Sequence, residues 1–535
     1  MKKLLLVILL FPALAVVAQP YNYENPVIDV SRYSFDIHLS DEHDSIRATA
    51  DIRFMLLQQT NTVQFDLAGT AKNGKGMQVL AVRDSMGRPL SYTHEGNTLN
   101  IQLPENINRN QEQRVSIEYQ GIPADGLIIA RNKYNKKTFF SDNWPNRAHN
   151  WLPCIDHPSD KAAVEFSITA PVRYQVIANG QQIEETTLPD NRKLTRFREE
   201  VLLPTKVMVI GAADFSVQHI GIAGAIPVSG WVYSEDRDQL INGYGKAVDI
   251  LPWFIEKIGP FGYSKLANVQ SKTIFGGMEN AGAIFYFENS INGKANNEAL
   301  IAHEIAHQWF GNMATEKHWS HIWLSEGFAT YFSHLYMYEK HGADTLRHLL
   351  QADRQQVIRF ATQNKMPVVD TSVTDYMKLL NPNSYQKAGF ILHMLRQQLG
   401  DSIFFSGVRN YYKAFAGKNA VTEDLKKIME QESNRDLSSF FQQWLYTPGI
   451  PKLEIGWNYN ATRKTLSVTV TQQQDALFSF PLTLSFSGSD KDELLHMDIR
   501  DKVTIKTITV SNKPLMLQAD PEIELLADIT LKEIR

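Results

Sequence analysis

Cysteine is almost missing. Cys154 is the only one in 535 residues, so no disulfide can close within the chain, and a four-thiolate zinc or iron–sulfur site has no ligands to draw on. Any metal must be held by His, Asp or Glu. An excess of positive charge is missing too: 54 Lys and Arg face 58 Asp and Glu, a formal net charge of −4, and no local run makes a basic footprint for nucleic acid. Polyanionic partners are disfavoured. Internal repeats and low-complexity tracts are also lacking, and past the first eighteen residues no apolar run is long enough to cross a bilayer.

What is present suits a globular protein of several units. Apolar residues make up 43% and charged residues 21%, enough for sizeable cores and too little charge for disorder. At roughly 150 residues per domain, the length suggests three or four compact units. The first stretch carries Lys2 and Lys3, an apolar run from Leu4 to Leu10, Pro12, and a small-residue end at Val16-Val17-Ala18. This pattern is expected of a cleaved secretory peptide covering residues 1–18, which makes the product an exported protein, periplasmic or secreted if the cell is bacterial.

Periodicity divides the rest. Tyr33, Phe35, Ile37 and Leu39 alternate with Ser34, Asp36, His38 and Ser40, as a half-buried strand requires, and similar short runs recur to about residue 216. From Val248, Ile250, Leu251, Phe254, Ile255 and Ile258 the stripe becomes helical, with further helices expected at 296–309, 326–340, 345–361, 385–399 and 422–432. Thr422 is the expected N-cap of the last. After Thr447-Pro448-Gly449-Ile450-Pro451, two-residue alternation returns at Leu466/Val468/Val470 and Leu482/Leu484/Phe486. The expected plan is multidomain α+β: an N-terminal β-sandwich-like domain at 19–216, a mostly α domain at 217–447, and a small C-terminal β-sandwich at 448–535.

The segment richest in chemistry is Ala302-His303-Glu304-Ile305-Ala306-His307-Gln308-Trp309-Phe310-Gly311. Four residues on a helix turn the chain by ~400° and advance it ~6 Å, so His303 and His307 share a face at a separation that one zinc ion can bridge. Glu304 lies one step round, where a carboxylate can take a proton from water activated by the metal. A zinc hydrolase needs a third protein ligand and one open position. Glu326, in Trp323-Leu324-Ser325-Glu326-Gly327, follows His307 after 18 intervening residues and is the expected third ligand, with Ser325 as a helix cap. The rival scheme with a third histidine requires Gly at 310 and His at 313, where this chain has Phe310 and Met313. His318 and His321 are left as ordinary loop histidines. The expected reaction is metal-assisted hydrolysis, most simply of an amide, with one zinc per chain.

Gly276-Gly277-Met278-Glu279-Asn280-Ala281-Gly282 lies about two dozen residues upstream. By spacing alone it reads as a turn with a solvated glutamate rather than as a ligand-binding edge. Together with the zinc motif, Trp323-Leu324-Ser325-Glu326-Gly327-Phe328-Ala329-Thr330-Tyr331, Trp151-Leu152-Pro153-Cys154-Ile155-Asp156-His157-Pro158 and the Trp444–Pro451 region, it resembles the aminopeptidase N family of gluzincins, which also includes the leukotriene-epoxide hydrolase.

The resemblance implies a thermolysin-like catalytic domain and peptides with a free N-terminal amine as substrates. It implies His303, His307 and Glu326 as zinc ligands, Glu304 as general base, and Glu279 as the acid that binds the α-amine. Gly276, Gly277, Met278 and Asn280 would line the substrate, and Tyr385 would donate to the tetrahedral oxyanion. The chain departs from the family in having Lys387-Ala388-Gly389 where lysine–glycine–alanine is usual, and Trp144 where a Gln or Glu helps hold the amine; Asp142 is the expected substitute. With 84 residues after Pro451 and those strand-like, no large helical C-terminal domain is expected. Two other readings stay open at this level: a catalytically silent peptide-binding member, and an epoxide or small-molecule hydrolase on the same zinc.

Overall fold

Alternation resolves directly into layers. In the strand Ile28–His38, Tyr33, Phe35 and Ile37 are buried while Asp36 and His38 face out. A computed structural model describes residues 25–105, 107–294, 297–487 and 492–534; the expected secretory peptide at 1–18 lies outside the described residues. Ile28–His38 pairs antiparallel with Ile46–Leu56 and parallel with Lys161–Pro171 in a seven-stranded sheet. Phe35 sits opposite Phe166 across the parallel pair, with ring centroids 5.5 Å apart, the kind of cross-strand contact that pins register. A four-stranded sheet containing Lys137–Ser141 and Ile210–Ala213, and a three-stranded sheet containing Thr62–Asp66 and Thr98–Gln102, close the same core.

The strand Phe215–Ala223 then opens a five-stranded sheet, so the chain passes residues 216 and 217 inside a strand rather than in a linker. Its order is Phe215–Ala223, Ile226–Tyr233, Leu266–Ser271, Ala283–Phe287 and, at the edge, Gly277–Met278. Behind it pack the helices Ala247–Lys257, Glu298–Ala306, Trp323–His341, Ala343–Gln363, Ala388–Leu399 and Thr422–Ser433. The helix Asp401–Phe415 was not anticipated; it buries Phe404, Val408, Tyr411 and Tyr412 on one face, a stripe that Gly407 and the flanking polar residues disguise.

Two expected caps are displaced. Thr422 is the first helical residue rather than the cap: Val421 holds the cap position, its N–H bonding Asp424 at 2.9 Å, while the buried Thr422 hydroxyl accepts from Trp323 Nε1 at 2.8 Å. Ser325 lies inside Trp323–His341 and makes no cap bond. Both hydroxyls have found tertiary partners that outcompete the local one.

Residues after Pro451 form a four-stranded sheet containing Lys452–Asn460 and Thr465–Gln472 and a three-stranded sheet containing Phe480–Ser487 and Asp492–Ile499. Leu466, Val468 and Val470 from one and Leu482 and Leu484 from the other join the same hydrophobic cluster as the helices. Trp444 meets Phe478 at 5.1 Å, and a buried Arg354–Asp520 ion pair ties Ala343–Gln363 to this last unit. No described helix is long and apolar enough to cross a membrane.

Between the first sheet unit and the helices lies a polar seam. Lys161 Nζ donates to the carbonyls of Asn312 at 3.2 Å and Met313 at 2.9 Å and to Thr315 Oγ1 at 3.0 Å, all on the loop joining the two helices that carry the histidines and Glu326. Lys206 pairs with Glu316, both side chains essentially inaccessible, and lies 5.6 Å from the Trp319 ring centroid. Removing one partner of such a pair leaves a bare charge in low dielectric. Lys206→Met is therefore expected to destabilise by about 3–5 kcal/mol, and adding Glu316→Leu should recover most of it; denaturant midpoints of the single and double variants check this, and equal midpoints for the two would contradict it.

Candidate functional site

The helix Glu298–Ala306 carries His303 and Glu304, and His307 sits at its C-terminal cap, its N–H still bonded to the His303 carbonyl at 3.3 Å. The chain turns back through Gly311, whose φ of +109° suits glycine, and re-enters a helix at Trp323. A Cβ at Gly311 would also lie 2.1 Å from Ser325 Oγ. This turn lets the two helices meet closely enough for Glu326 to reach both histidines.

The three donor atoms converge. His303 Nε2 and His307 Nε2 are 3.1 Å apart, and Glu326 Oε2 lies 3.5 Å from the first and 3.2 Å from the second. His307 Nδ1 lies 3.1 Å from the Phe310 carbonyl and 3.0 Å from Ser325 Oγ. A carbonyl only accepts, so Nδ1 carries the proton and Nε2 presents its lone pair to the centre. Ser325, expected as a cap, instead orients a histidine.

One cleft of about 330 Å³ holds these groups together with Trp144, Phe275, Gly276, Gly277, Met278, Glu279, Leu300, Glu304, Leu380 and Tyr385. Glu304 packs against Gly277 so closely that a Cβ there would fall 2.2 Å from its Oε1; only glycine leaves room for the carboxylate. Donor atoms of Glu279, Glu304 and His307 lie within 4.8 Å of one another. Glu279 is held by its backbone: its carbonyl accepts from Gln308 Nε2 at 2.9 Å and from Asn312 Nδ2 at 2.7 Å. Its side-chain Oε1 is buried with no hydrogen-bond partner. Gly277 and Met278 form the sheet-edge strand, pairing with Tyr286 and Phe285.

Tyr385 lies in a wide π-type turn, Asn383–Lys387, just before Ala388–Leu399. Its ring stacks on His303 at 6.1 Å between centroids. Lys387 anchors the turn through a 2.8 Å bond from Nζ to the Gly449 carbonyl.

Two expected residues are not brought to the cleft wall. Asp142 is fully buried behind it, where its carboxylate accepts from Arg147 at 2.6 Å, Thr273 Oγ1 at 3.0 Å and the Ile274 N–H at 3.1 Å. With its oxygens so engaged, it is no substitute anchor for an amine, and the expectation is corrected. Asn280 is buried beyond Glu279 and does not line the cleft. Sequence reasoning missed Gln308, Asn312 and Ser325 as supports and Phe275, Leu300 and Leu380 as walls. Leu300 had a usable signal, since it stands three and four residues before His303 and Glu304 on one helical face.

Residues 29–207 match the Peptidase M1 N-terminal domain, and residues 244–444 match the Peptidase family M1 domain. The chain belongs to peptidase family M1. It is 25% identical over 422 residues to the "Probable aminopeptidase 2" of Sulfurisphaera tokodaii, covering 73% of this chain and 52% of that protein. With the "Glutamyl aminopeptidase" of Bitis rhinoceros it shares 28% over 482 residues, 83% of this chain and 48% of the relative. With the "Leucyl aminopeptidase" of Saccharolobus solfataricus it shares 26% over 411 residues, 71% and 51% respectively. The chain spans about half the length of the curated relatives it matches.

The M1 family implies zinc, and the donors fit it. Ligands about 2.0–2.2 Å from a tetrahedral ion stand roughly 3.3–3.6 Å from each other, close to the three separations found here. Glu326 Oε2 is buried without a hydrogen-bond partner of its own, as an atom reserved for a cation should be. With no ion between the donors, the electrostatics show a demand for positive charge at the same point. Burial opposes charge on His307, yet the Glu326 and Glu279 carboxylates outweigh it and push its pKa up to about 10. Burial likewise opposes charge on Glu326, and His307 and His303 overcome it and hold the carboxyl well below its usual range. For Glu304 burial wins, with Glu279 and Glu326 adding, and its pKa rises well above the carboxylate range. Ser325→Ala is expected to weaken zinc binding roughly 10-fold, the usual effect of losing an outer hydrogen bond to a metal-bound histidine; competition with a chelator measures it, and unchanged affinity would leave the Phe310 carbonyl as the sole orienting group.

Proposed function

We propose that this M1 chain is a zinc-dependent aminopeptidase that removes residues singly from the free N-terminus of peptides, with its first 18 residues directing export. The observation that carries the proposal is the pairing, in one cleft, of a converged two-histidine, one-glutamate donor set with a buried, unpartnered carboxylate oxygen on Glu279. The first fits a zinc ion. The second fits an ammonium group, which satisfies the lone oxygen and sets the cleavage position by distance from the chain end.

His303, His307 and Glu326 would hold the zinc, which when bound supplies a positive centre that activates water and polarises the scissile carbonyl. Glu304 accepts the proton and passes it to the leaving amine. Its carboxylate stands in the cleft against Gly277, with a donor atom within 4.8 Å of those of His307 and Glu279, where a general base has to lie. Tyr385 donates to the oxyanion. Burial, then the Glu326 and Glu279 charges, keep its phenol well above the usual range, so at neutral pH the donor hydrogen is in place. The Gly277–Met278 edge offers backbone groups to an extended peptide, and the exposed Gly276 leaves space beside it. The relatives' names disagree on the first residue, glutamyl in one and leucyl in another, so they do not fix it.

The deciding experiment gives the protein free and N-acetylated forms of one peptide, with and without a chelator. Chelator-sensitive release of the first residue from the free peptide alone is expected; equal cutting of the blocked peptide would falsify the amine role of Glu279. Glu304→Gln should keep its metal and lose activity by ~10²–10⁴. Tyr385→Phe should lower kcat far more than it alters KM, since its bond matters chiefly in the transition state; an unchanged kcat would take Tyr385 out of the reaction.

A further inference from the structure

The cleft is walled on one side by Phe275, Leu300 and Leu380, each half-buried and so partly open to a ligand, with Met278 and Trp144 almost fully buried beneath them. Trp144 cannot swing aside. Its indole is fixed edge-on by Phe275 at 6.0 Å and Trp319 at 5.7 Å. Nor can it take over the amine, because an indole N–H and an ammonium are both donors.

Charge in the cleft has one sign outside the histidines. Glu279, Glu304 and Glu326 line it, and among the described residues no Lys or Arg does. Arg147 sits over the Phe275 ring at 5.9 Å, but its guanidinium is engaged by Asp142 at 2.6 Å, Asp125 at 3.1 Å and the Trp144 carbonyl at 2.7 Å. A side chain entering here meets hydrocarbon, aromatic edges and negative charge.

Building on the aminopeptidase reading, we propose that these walls receive the first side chain of the peptide and select uncharged, apolar residues while rejecting Asp and Glu. A methionine, leucine or phenylalanine side chain exchanges water for apolar contact. A carboxylate there loses its hydration and, among the described residues of the cleft, finds no lysine or arginine to pair with.

The test uses zinc-loaded Glu304→Gln protein, titrated calorimetrically with Leu-Gly-Gly and with Glu-Gly-Gly, so that binding is read apart from turnover. Leu-Gly-Gly is expected to bind roughly 10²-fold more tightly. Leu300→Arg, which places the missing cation on the face that carries His303, should shrink that ratio by at least ~10-fold. Leu380→Arg is the second route to the same result should the first variant fail to fold or to take up zinc. Equal affinity for the two peptides, tighter binding of Glu-Gly-Gly, binding of neither, or a ratio unmoved in both arginine variants overturns the inference. Selective binding of Leu-Gly-Gly that the wild-type protein leaves uncut would support the pocket and overturn the aminopeptidase reading instead.

Discussion

Three buried carboxylates in one cleft are the constraint on which the rest depends. Glu279, Glu304 and Glu326 are each about 5% exposed or less, and unpaired negative charge at such burial is costly. Two kinds of cation relieve it. In the proposed reading, a divalent ion between His303, His307 and Glu326 would answer one, and an ammonium at Glu279 another. Glu304 shares the cleft with both and, by its burial, has a raised affinity for a proton. The three proposed roles then follow from one electrostatic problem, and the same problem is the ground for proposing that a carboxylate on the first substrate residue is rejected.

A single stretch of chain, from His303 to Glu326, does most of the positioning. Gln308 and Asn312 grip the Glu279 carbonyl, Ser325 orients His307, and Gly311 permits the return. Such a loop would be soft if it faced water. Instead Lys161 and Lys206, both from the first β unit, bind its carbonyls and Glu316 from behind. Asn179 and the Val207 carbonyl likewise hold Ala281, two residues past Glu279. The N-terminal sheet thus acts as the back wall of the site, and the strand crossing residues 216 and 217 is the covalent expression of that continuity.

What could be seen in the sequence was what repeats locally. Four-residue spacing put His303 and His307 on one face, two-residue spacing placed Tyr33, Phe35 and Ile37 inward, and the family resemblance supplied Glu279, Glu326 and Tyr385. What could not be seen depended on partners far along the chain. Ser325 and Thr422 carry the usual signature of a helix cap, and nothing within four residues reveals that His307 and Trp323 claim their hydroxyls. Asp142 looked free because Thr273 and Ile274, its partners, lie more than 130 residues away. Composition gives no vector, so Phe275, Leu300 and Leu380 could not be assembled into a wall before the fold brought them together.

The last unit bears on chemistry through one contact. For the role proposed for it, Tyr385 would have to stand within reach of an oxyanion to better than an ångström. The turn that carries it is wider than an α-helical turn, with Lys387 buried beneath, and burial pushes that ammonium's pKa down to about 7. Its described hydrogen bond goes to the carbonyl of Gly449, whose φ of +84° turns the chain toward the C-terminal sheets. Those sheets share their hydrophobic cluster with the helix that follows Tyr385. The tyrosine is therefore fixed from two sides, by its stacking on His303 in front and by the entry to the final β unit behind, and displacement of that unit would move the Tyr385 phenol.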